Sequence, residues 1–459
     1  MTERAFAIEV VRKLRKAGFT ALWAGGCVRD ELLGLTPADY DVATNAEPTQ
    51  LPVLFPRRNE IGAHFGVVQV IGPRGDDGEW LTVEVATFRI DGPYDPSGRT
   101  PGWVKFCSPE EDARRRDFTI NGMFFDPIEN QLIDYVDGRS DLKAKILRAI
   151  GNPRERFTED KLRILRAVRM ASRFELSIEP ETLAAAQQMA PEIGIVSAER
   201  IAEELRKLLT HPNRARGVKL LMDFGLIEPI LPELYAMLTA EKTREFPIVT
   251  GNSLERVIAS LAPPASPASP VDPPGMALPT LISNRSGREV HKTVSFPLAL
   301  AALLQELGKK KAEAIADRLR LSTAEKSRLT WLVEHRHALT NAAEMSPSRL
   351  YPLLVHPGID ELLLLHQANA LASGAAAAEV KFCEAILGET PAEVLNPIPV
   401  LTGDDLIAHG LRPSREFKRL LETVRTAQLD GQVKDRAEAL LLVRKLQSAE
   451  APELEKPRP

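Results

Sequence analysis

Cysteine is scarce in this 459-residue chain: Cys27, Cys107 and Cys383 are odd in number and widely separated. That pattern excludes a disulfide framework and a clustered zinc site, and it points to a reducing cytoplasm. No apolar run approaches the length needed to cross a bilayer, so no membrane partner is expected. A signal-peptide pattern is also missing. The opening segment MTERAFAIEVVRKLRKAGF reads instead as an amphipathic helix ending at Gly18. No internal repeat is present, and the net charge of −4 gives no global sign of a polyanionic partner.

What is present is ordinary in bulk and informative in its distribution. A composition of 44% apolar and 27% charged residues fits a water-soluble globular chain, and the length predicts two to four domains. Lys143, Lys145, Arg148, Arg154, Arg156, Lys161, Arg163, Arg166, Arg169 and Arg173 form a basic run with few acids between them. Such a run reads as a surface for polyphosphate or RNA, or as a plain solvated helix face.

Strand-like segments concentrate between residues 20 and 135: ALWA (21–24), VVQVI (67–71), LTVEVATF (81–88), FTINGMFFD (118–126) and QLIDYV (131–136). Beyond about residue 145 apolar residues recur at three- and four-residue spacing, as in KLRILRAVRMASRF and AERIAEELRKLL. The expected fold is therefore α+β, a head with a small mixed sheet followed by an all-helical neck, body and tail. The boundaries are set at 1–148, 149–235, 236–392 and 393–450. Within the body, APPASPASPVDPPG (262–275) is too rich in proline for helix or sheet and reads as a flexible insertion. The closing SAEAPELEKPRP is expected to be disordered.

The strongest constellation is GGCVRDELLG (25–34) followed by ADYDVAT (38–44). A strand enters the Gly25-Gly26 turn, where backbone can approach a ligand closely, and a helix follows. Its amino-terminal amides and Arg29 suit a triphosphate. Asp39 and Asp41 are two apart, so on a strand both carboxylates face one side and repel unless a cation separates them. A pair of metal ions there would activate an attacking 3′-hydroxyl and steady a leaving pyrophosphate. Alone, an Asp-X-Asp is more often a loop-edge acidic pair; the glycine turn upstream changes that balance. Glu84 alternates with Val83 and Val85 and is the candidate third carboxylate, with a solvent-facing strand residue as the alternative.

Five segments resemble, in order and spacing, the class II tRNA nucleotidyltransferase and bacterial poly(A) polymerase family, which includes the CCA-adding enzymes. They are GGCVRD, DYDVAT, EVATFR, RRRDFTINGM (114–123) and EDKLRILRAVR (159–169). The resemblance covers about residues 20–235 closely, and residues 401–431 more weakly. It implies triphosphate contacts from Gly26 and Arg29 and Mg²⁺ ligation by Asp39 and Asp41. It further implies a role for Arg116, with Asp117 and Asn121 as organisers, and base and phosphate recognition by Asp160, Arg163, Arg166 and Arg169. The implied partners are a tRNA 3′ end, CTP and ATP.

The last motif also makes physical sense by itself. Asp160 and Arg163, three apart, would share a helix face opposite Leu162, Leu165 and Val168. A carboxylate accepts from an exocyclic amine while a guanidinium donates to the adjacent ring nitrogen. Cytosine and adenine offer that order; guanine and uracil reverse it, at a cost of about 1–3 kcal/mol per unsatisfied group. An ordinary helical ion pair is the alternative.

Two further segments bear on the choice within the family. RIDGPYDPSGRTPGWVKF (89–106) resembles the family's flexible loop, with Tyr94, Asp95, Arg99 and Pro101 matching but the spacing one residue longer. Such a loop would help a site switch from C to A addition. IGAHFGVVQV (61–70), with Gly66 before the strand, tilts mildly towards the tRNA nucleotidyltransferase version. Residues 296–339 resemble the scaffold of the His-Asp phosphohydrolase domain of many bacterial relatives. Gln305-Glu306 stands where His-Asp is expected, and His335 and His337 alone do not build a binuclear site, so a helical relic is predicted. The leading expectation is CCA addition to tRNA; the alternatives are an A-adding enzyme, a poly(A) polymerase, or an inactive RNA-binding relative.

Overall fold

A computed structural model of the chain describes residues 1–59, 66–76, 78–92, 102–240, 251–261, 282–283, 289–290, 294–412 and 415–450. Residues 61–65, the loop positions Tyr94, Asp95, Arg99 and Pro101, the stretch 262–275 and residues 451–459 lie outside the described residues. Two compact units are present. The first comprises Met1–Pro279 with Glu313–Lys326, the second Thr280–Ala312 with Ser327–Pro459. The expected head and neck both fall in the first unit and the expected tail in the second, while the expected body contributes to both.

The first unit opens with helix α1 (Glu3–Lys16), capped by Thr2, whose hydroxyl accepts from the Ala5 amide. Lys13, Arg15 and Lys16 occupy its last turn, and Gly18 follows at φ +89°. The chain then runs β1 (Ala21–Ala24), α2 (Gly26–Leu32), β2 (Asp41–Thr44), α3 (Leu51–Leu54), β3 (Arg58–Asn59), β4 (Val67–Arg74) and β5 (Trp80–Thr87). Hairpin strands β6 (Arg89–Asp91) and β7 (Val104–Phe106) lead to α4 (Pro109–Arg115). Next come β8 (Phe124–Asp126), β9 (Gln131–Ile133) and α5 (Gly138–Ala144). Of the expected strand 118–126 only the second half is strand, because Thr119–Asn121 forms a 3-10 turn.

Seven strands make one mixed sheet in the order β3-β4-β5-β2-β1-β8-β9. Within it β2 and β5 run parallel, and the other neighbours are antiparallel. Alternation sets its two faces. Trp23, Val42, Val83 and Val85 are fully buried on the side covered by α1. Leu22, Ala24, Ala43, Phe88 and Phe124 cluster on the other side with Ala113 of α4. That second face is only partly covered, and Glu84 on it is exposed.

After the sheet, α6 (Pro153–Glu159), α7 (Leu162–Arg173), α8 (Pro180–Met189), α9 (Ala198–Leu209) and α10 (Arg214–Asp223) form the helical remainder that packs α7 at its centre. Burial extends round most of α7, including Leu162, Ile164, Leu165, Ala167, Val168 and Ala171, so the expected single apolar stripe is wider than predicted. In the second unit, Gly403–Ala408, Arg415–Leu429 and Arg436–Glu450 enclose Leu401, Leu406, Leu420, Val424, Ala439 and Val443. The last helix therefore runs three residues into the segment expected to be disordered. Gln305 does not act alone either: it exchanges two 2.9 Å amide hydrogen bonds with Asn369.

One close contact locks α5 onto the 3-10 turn. A Cβ at Gly138 would lie 2.2 Å from the Thr119 carbonyl oxygen and 2.8 Å from Met123 Cγ. Backbone cannot yield as a side chain does, so Gly138→Ala is expected to cost about 1–3 kcal/mol of stability. A lowered midpoint in urea unfolding checks this; an unchanged midpoint refutes the contact.

Candidate active site

The open face of the sheet gathers the acidic residues. Parallel pairing sets Asp41 of β2 directly opposite Glu84 of β5, so their side chains leave the sheet on the same side. Strand β2 begins only at Asp41, and exposed Asp39 lies two residues before it rather than within the strand as expected. Between them Tyr40 turns inward, its hydroxyl donating to Glu31 Oε1 at 2.7 Å and its ring 4.8 Å from that of Trp23. This anchor holds the two aspartates to the opposite side.

The result is an electrostatically crowded group. Burial raises the Asp41 pKa, the charges of Asp39 and Glu84 raise it further, and Arg116 opposes them; it stands at about 7 against a usual 3.8. Among the described residues no set of three or more His, Cys, Asp or Glu side chains encloses a metal position by itself. The chemistry of the donors nonetheless fits a hard cation whose remaining ligands come from phosphate and water. Asp39 and Asp41, with Glu84 beside them, are the residues that would hold it.

Arg116 reaches this group from the end of α4. Ser108 and Glu111 form a reciprocal capping box that starts the helix, with Pro109 in its first turn. Buried Asp112 then accepts from Arg116 Nε and Nη2 (3.1 and 2.9 Å), from Arg115 Nε (2.9 Å) and from the Arg89 amide (3.2 Å). Burial alone would raise the Asp112 pKa, but Arg116 and Arg115 hold it low. Gly25 has φ +73°, and a Cβ there would meet Arg116 Nη1 at 3.0 Å. The positive φ favours glycine at this position, and a Cβ would in addition crowd the guanidinium.

Arg29 is deeply engaged. It is 4% exposed, bonds Asp30 Oδ1 at 2.8 Å and Asn121 Oδ1 at 2.5 Å, and stacks its guanidinium 4.2 Å above Phe174. Burial lowers its pKa. Gly26 lies beside it, its Cβ position 3.6 Å from Arg29 Nη2.

The helical residues are organised by partners that the spacing did not reveal. Helix α7 starts at Leu162, so Asp160 precedes it in extended conformation and the expected shared helix face does not exist. Arg200 of α9 instead holds both Asp160 oxygens, at 3.2 and 2.7 Å. Arg163 donates to Glu159 Oε2 at 2.7 Å and to the Arg156 carbonyl at 3.0 Å. Arg166 grips Asp117 Oδ2 at 2.9 and 2.6 Å, and Asn121 Nδ2 donates to the same carboxylate at 3.2 Å. Burial works against that charge, but Arg166 pulls the Asp117 pKa well below the usual range. Arg169 bonds Glu204 Oε2 at 2.5 Å. Arg200 and Glu204 are four apart on α9, a helical spacing legible in AERIAEELRKLL but not read as part of the site.

With this geometry in place, similarity to known proteins can be stated. A family model described as the poly A polymerase head domain matches residues 21–148. Another, described as a probable RNA and SrmB-binding site of polymerase A, matches residues 175–238. The chain is 37% identical over 266 residues to poly(A) polymerase I of Salmonella typhi, covering 56% of this chain and 54% of that one. It is 40% identical over 229 residues to the CCA-adding enzyme of Streptococcus gordonii, covering 50% and 55%. Over residues 21–148 and 175–238 the chain is similar to the class II tRNA nucleotidyltransferase and poly(A) polymerase family. It spans about half the length of the curated relatives it matches. Across nearly the whole chain the fold resembles the Bacillus stearothermophilus CCA-adding enzyme solved in complex with CTP, at TM-score 0.71 and 24% identity over 98% of this chain and 99% of that one. The Thermotoga maritima CCA-adding enzyme complexed with tRNA aligns at TM-score 0.57 and 21% identity, over 97% and 95%. At these identities the likeness concerns the fold.

The raised Asp41 pKa has a consequence for stability. The folded state holds this proton more tightly than the unfolded chain, so the crowded site costs no stability near pH 4 and its full cost above about pH 7. Asp41→Asn is expected to raise the melting temperature at pH 8, with the gain fading towards pH 4. Equal melting shifts at both pH values would contradict the crowding.

Proposed function

We propose that the chain transfers nucleotides to an RNA 3′ end, with Asp39 and Asp41 holding Mg²⁺ and Glu84 as the third carboxylate. The observation that carries this is the opposition of Asp41 and Glu84 across parallel strands, beside Asp39 and facing Arg116. When bound, the metal supplies positive charge to polyphosphate oxygens and lowers the cost of ionising a 3′-hydroxyl. Arg116, poised against the Gly25 turn, draws a phosphate towards the carboxylates. Asp160, oriented by Arg200, accepts from an exocyclic amine, and Arg163 donates to the neighbouring ring nitrogen. That polarity favours CTP and ATP over UTP and GTP. Arg166 and Arg169, together with Arg29 and Gly26, complete the nucleotide pocket in this reading.

The leading reaction is template-independent CCA addition to tRNA in the cytoplasm, which the fold-wide likeness to CCA-adding enzymes and the free cysteines support. Poly(A) polymerase is the second reading, because relatives bearing that name match over 263–266 residues at 37–38% identity.

The test is incubation with tRNA transcripts lacking all, two or one of the terminal CCA nucleotides, with labelled CTP and ATP and sequencing of products. A completed CCA that stops supports tRNA repair; long A tracts on any 3′ end support polyadenylation. No incorporation by the wild-type chain would sink both. Asp41→Ala should abolish incorporation while leaving tRNA binding largely intact. Arg163→Ala should raise UTP misincorporation by roughly tenfold or more, since one lost recognition bond amounts to about 1–3 kcal/mol; an unchanged preference refutes the base-reading role.

A further inference from the structure

The open face that carries Glu84 continues along β5 to a feature the nucleotide site does not use. Trp80, Thr82 and Glu84 alternate with buried Leu81, Val83 and Val85, so the indole and the carboxylate leave the sheet on the same side. They are four positions apart, a distance of about 13 Å along the strand. Trp80 is 48% exposed, although a tryptophan is costly to leave in water. Two guanidinium groups attend it from different segments of the sheet. Arg74, its cross-strand partner on β4, lies 5.0 Å from the ring centroid. Arg57, just before β3, lies 5.8 Å away. The nearby acid Asp76 is already paired with the amino-terminal ammonium at 2.9 Å.

We propose that Trp80, Arg57 and Arg74 form a docking platform for single-stranded RNA on the open face of the sheet, upstream of the 3′ end at the carboxylates. This rests on the nucleotidyltransferase reading for its location only. An exposed indole offers any base a stacking surface, and flanking arginines engage the phosphates on either side. At about 3.4 Å per stacked nucleotide, the 13 Å gap spans about four nucleotides. An Arg74–Trp80 cross-strand pair would close the hairpin whether or not RNA binds. It does not account for the second guanidinium, nor for the indole standing half-exposed on the face of the acids. The platform thus gives the first unit its own grip on RNA, indifferent to sequence and separate from nucleotide selection.

The decisive experiment measures binding of a fluorescein-labelled single-stranded oligoribonucleotide to the full chain without nucleotide, alongside steady-state incorporation. Trp80→Ala should weaken oligonucleotide binding by about tenfold and raise the KM for RNA similarly, with kcat and the KM for ATP unchanged. Trp80→Phe should restore most of the affinity. Arg57→Gln should lower the slope of log Kd against log salt by about 0.7, the loss of one phosphate contact. Unchanged Kd and RNA KM in Trp80→Ala, or an unchanged salt slope in Arg57→Gln, would overturn the platform, as would equal losses for duplex and single-stranded RNA. If Trp80→Ala does not fold, Trp80→Phe and Arg57→Gln carry the same test, and full loss of binding in the former with native melting counts against stacking. A wild-type chain that binds the oligonucleotide through Trp80 yet adds no nucleotide would keep the platform and remove the proposed reaction.

Discussion

The structure turns on a repulsion. Parallel pairing of β2 with β5 fixes Asp41 opposite Glu84, with Asp39 close by, and no rotation of a side chain can undo a register set by backbone hydrogen bonds. The sheet pays for this arrangement elsewhere: Val42, Val83 and Val85 are buried under α1, while Tyr40 pins the turn between the aspartates. Local crowding is thereby tolerated because the opposite face of the same strands is well packed. A cation bound there, as proposed, would turn the repulsion into attraction.

Around that centre the first unit uses buried ion pairs as struts. Asp112 gathers Arg115 and Arg116, Asp117 gathers Arg166, Asp160 is held by Arg200, and Glu204 holds Arg169. The Asp112 pairs are local to α4, whereas the other three join residues at least 35 apart, and Asp117–Arg166 ties α7 to the segment before it. Removing one partner of such a pair leaves an uncompensated charge, typically a loss of about 3–5 kcal/mol, so these pairs fix geometry more than they add net stability. The polar residues of the site are aligned by one another as much as by the helices that bear them.

The basic run from Lys143 to Arg173 changes its meaning in this light. Arg163 and Arg169 are each 8% exposed, and Arg148 pairs with Asp141. Lys143, Lys145 and Arg154 stay exposed, while Arg156, Lys161, Arg163, Arg166 and Arg169 are drawn into ion pairs. Exposed cations beside an exposed aromatic occur at Arg57 and Arg74, outside that run. Charge density along the sequence therefore marks where cations lie but not which of them are already paired.

Much of the protein was legible without coordinates. Strict alternation in LTVEVATF set Glu84 apart from the core, the Gly25-Gly26 pair marked a turn between strand and helix, and helical periodicity located α7 and α9. These are local properties, governed by backbone geometry over a few residues. Tertiary structure alone decided which distant charges meet. Arg200, not Arg163, holds Asp160, because the chain leaves α6 in an extended step before α7 begins and so turns that carboxylate towards α9. Likewise the placing of Glu84 beside Asp41 depends on a parallel crossover whose register no spacing rule encodes. Sequence supplied the residue types and their faces; the pairing between faces came from packing the sheet and helices into one unit.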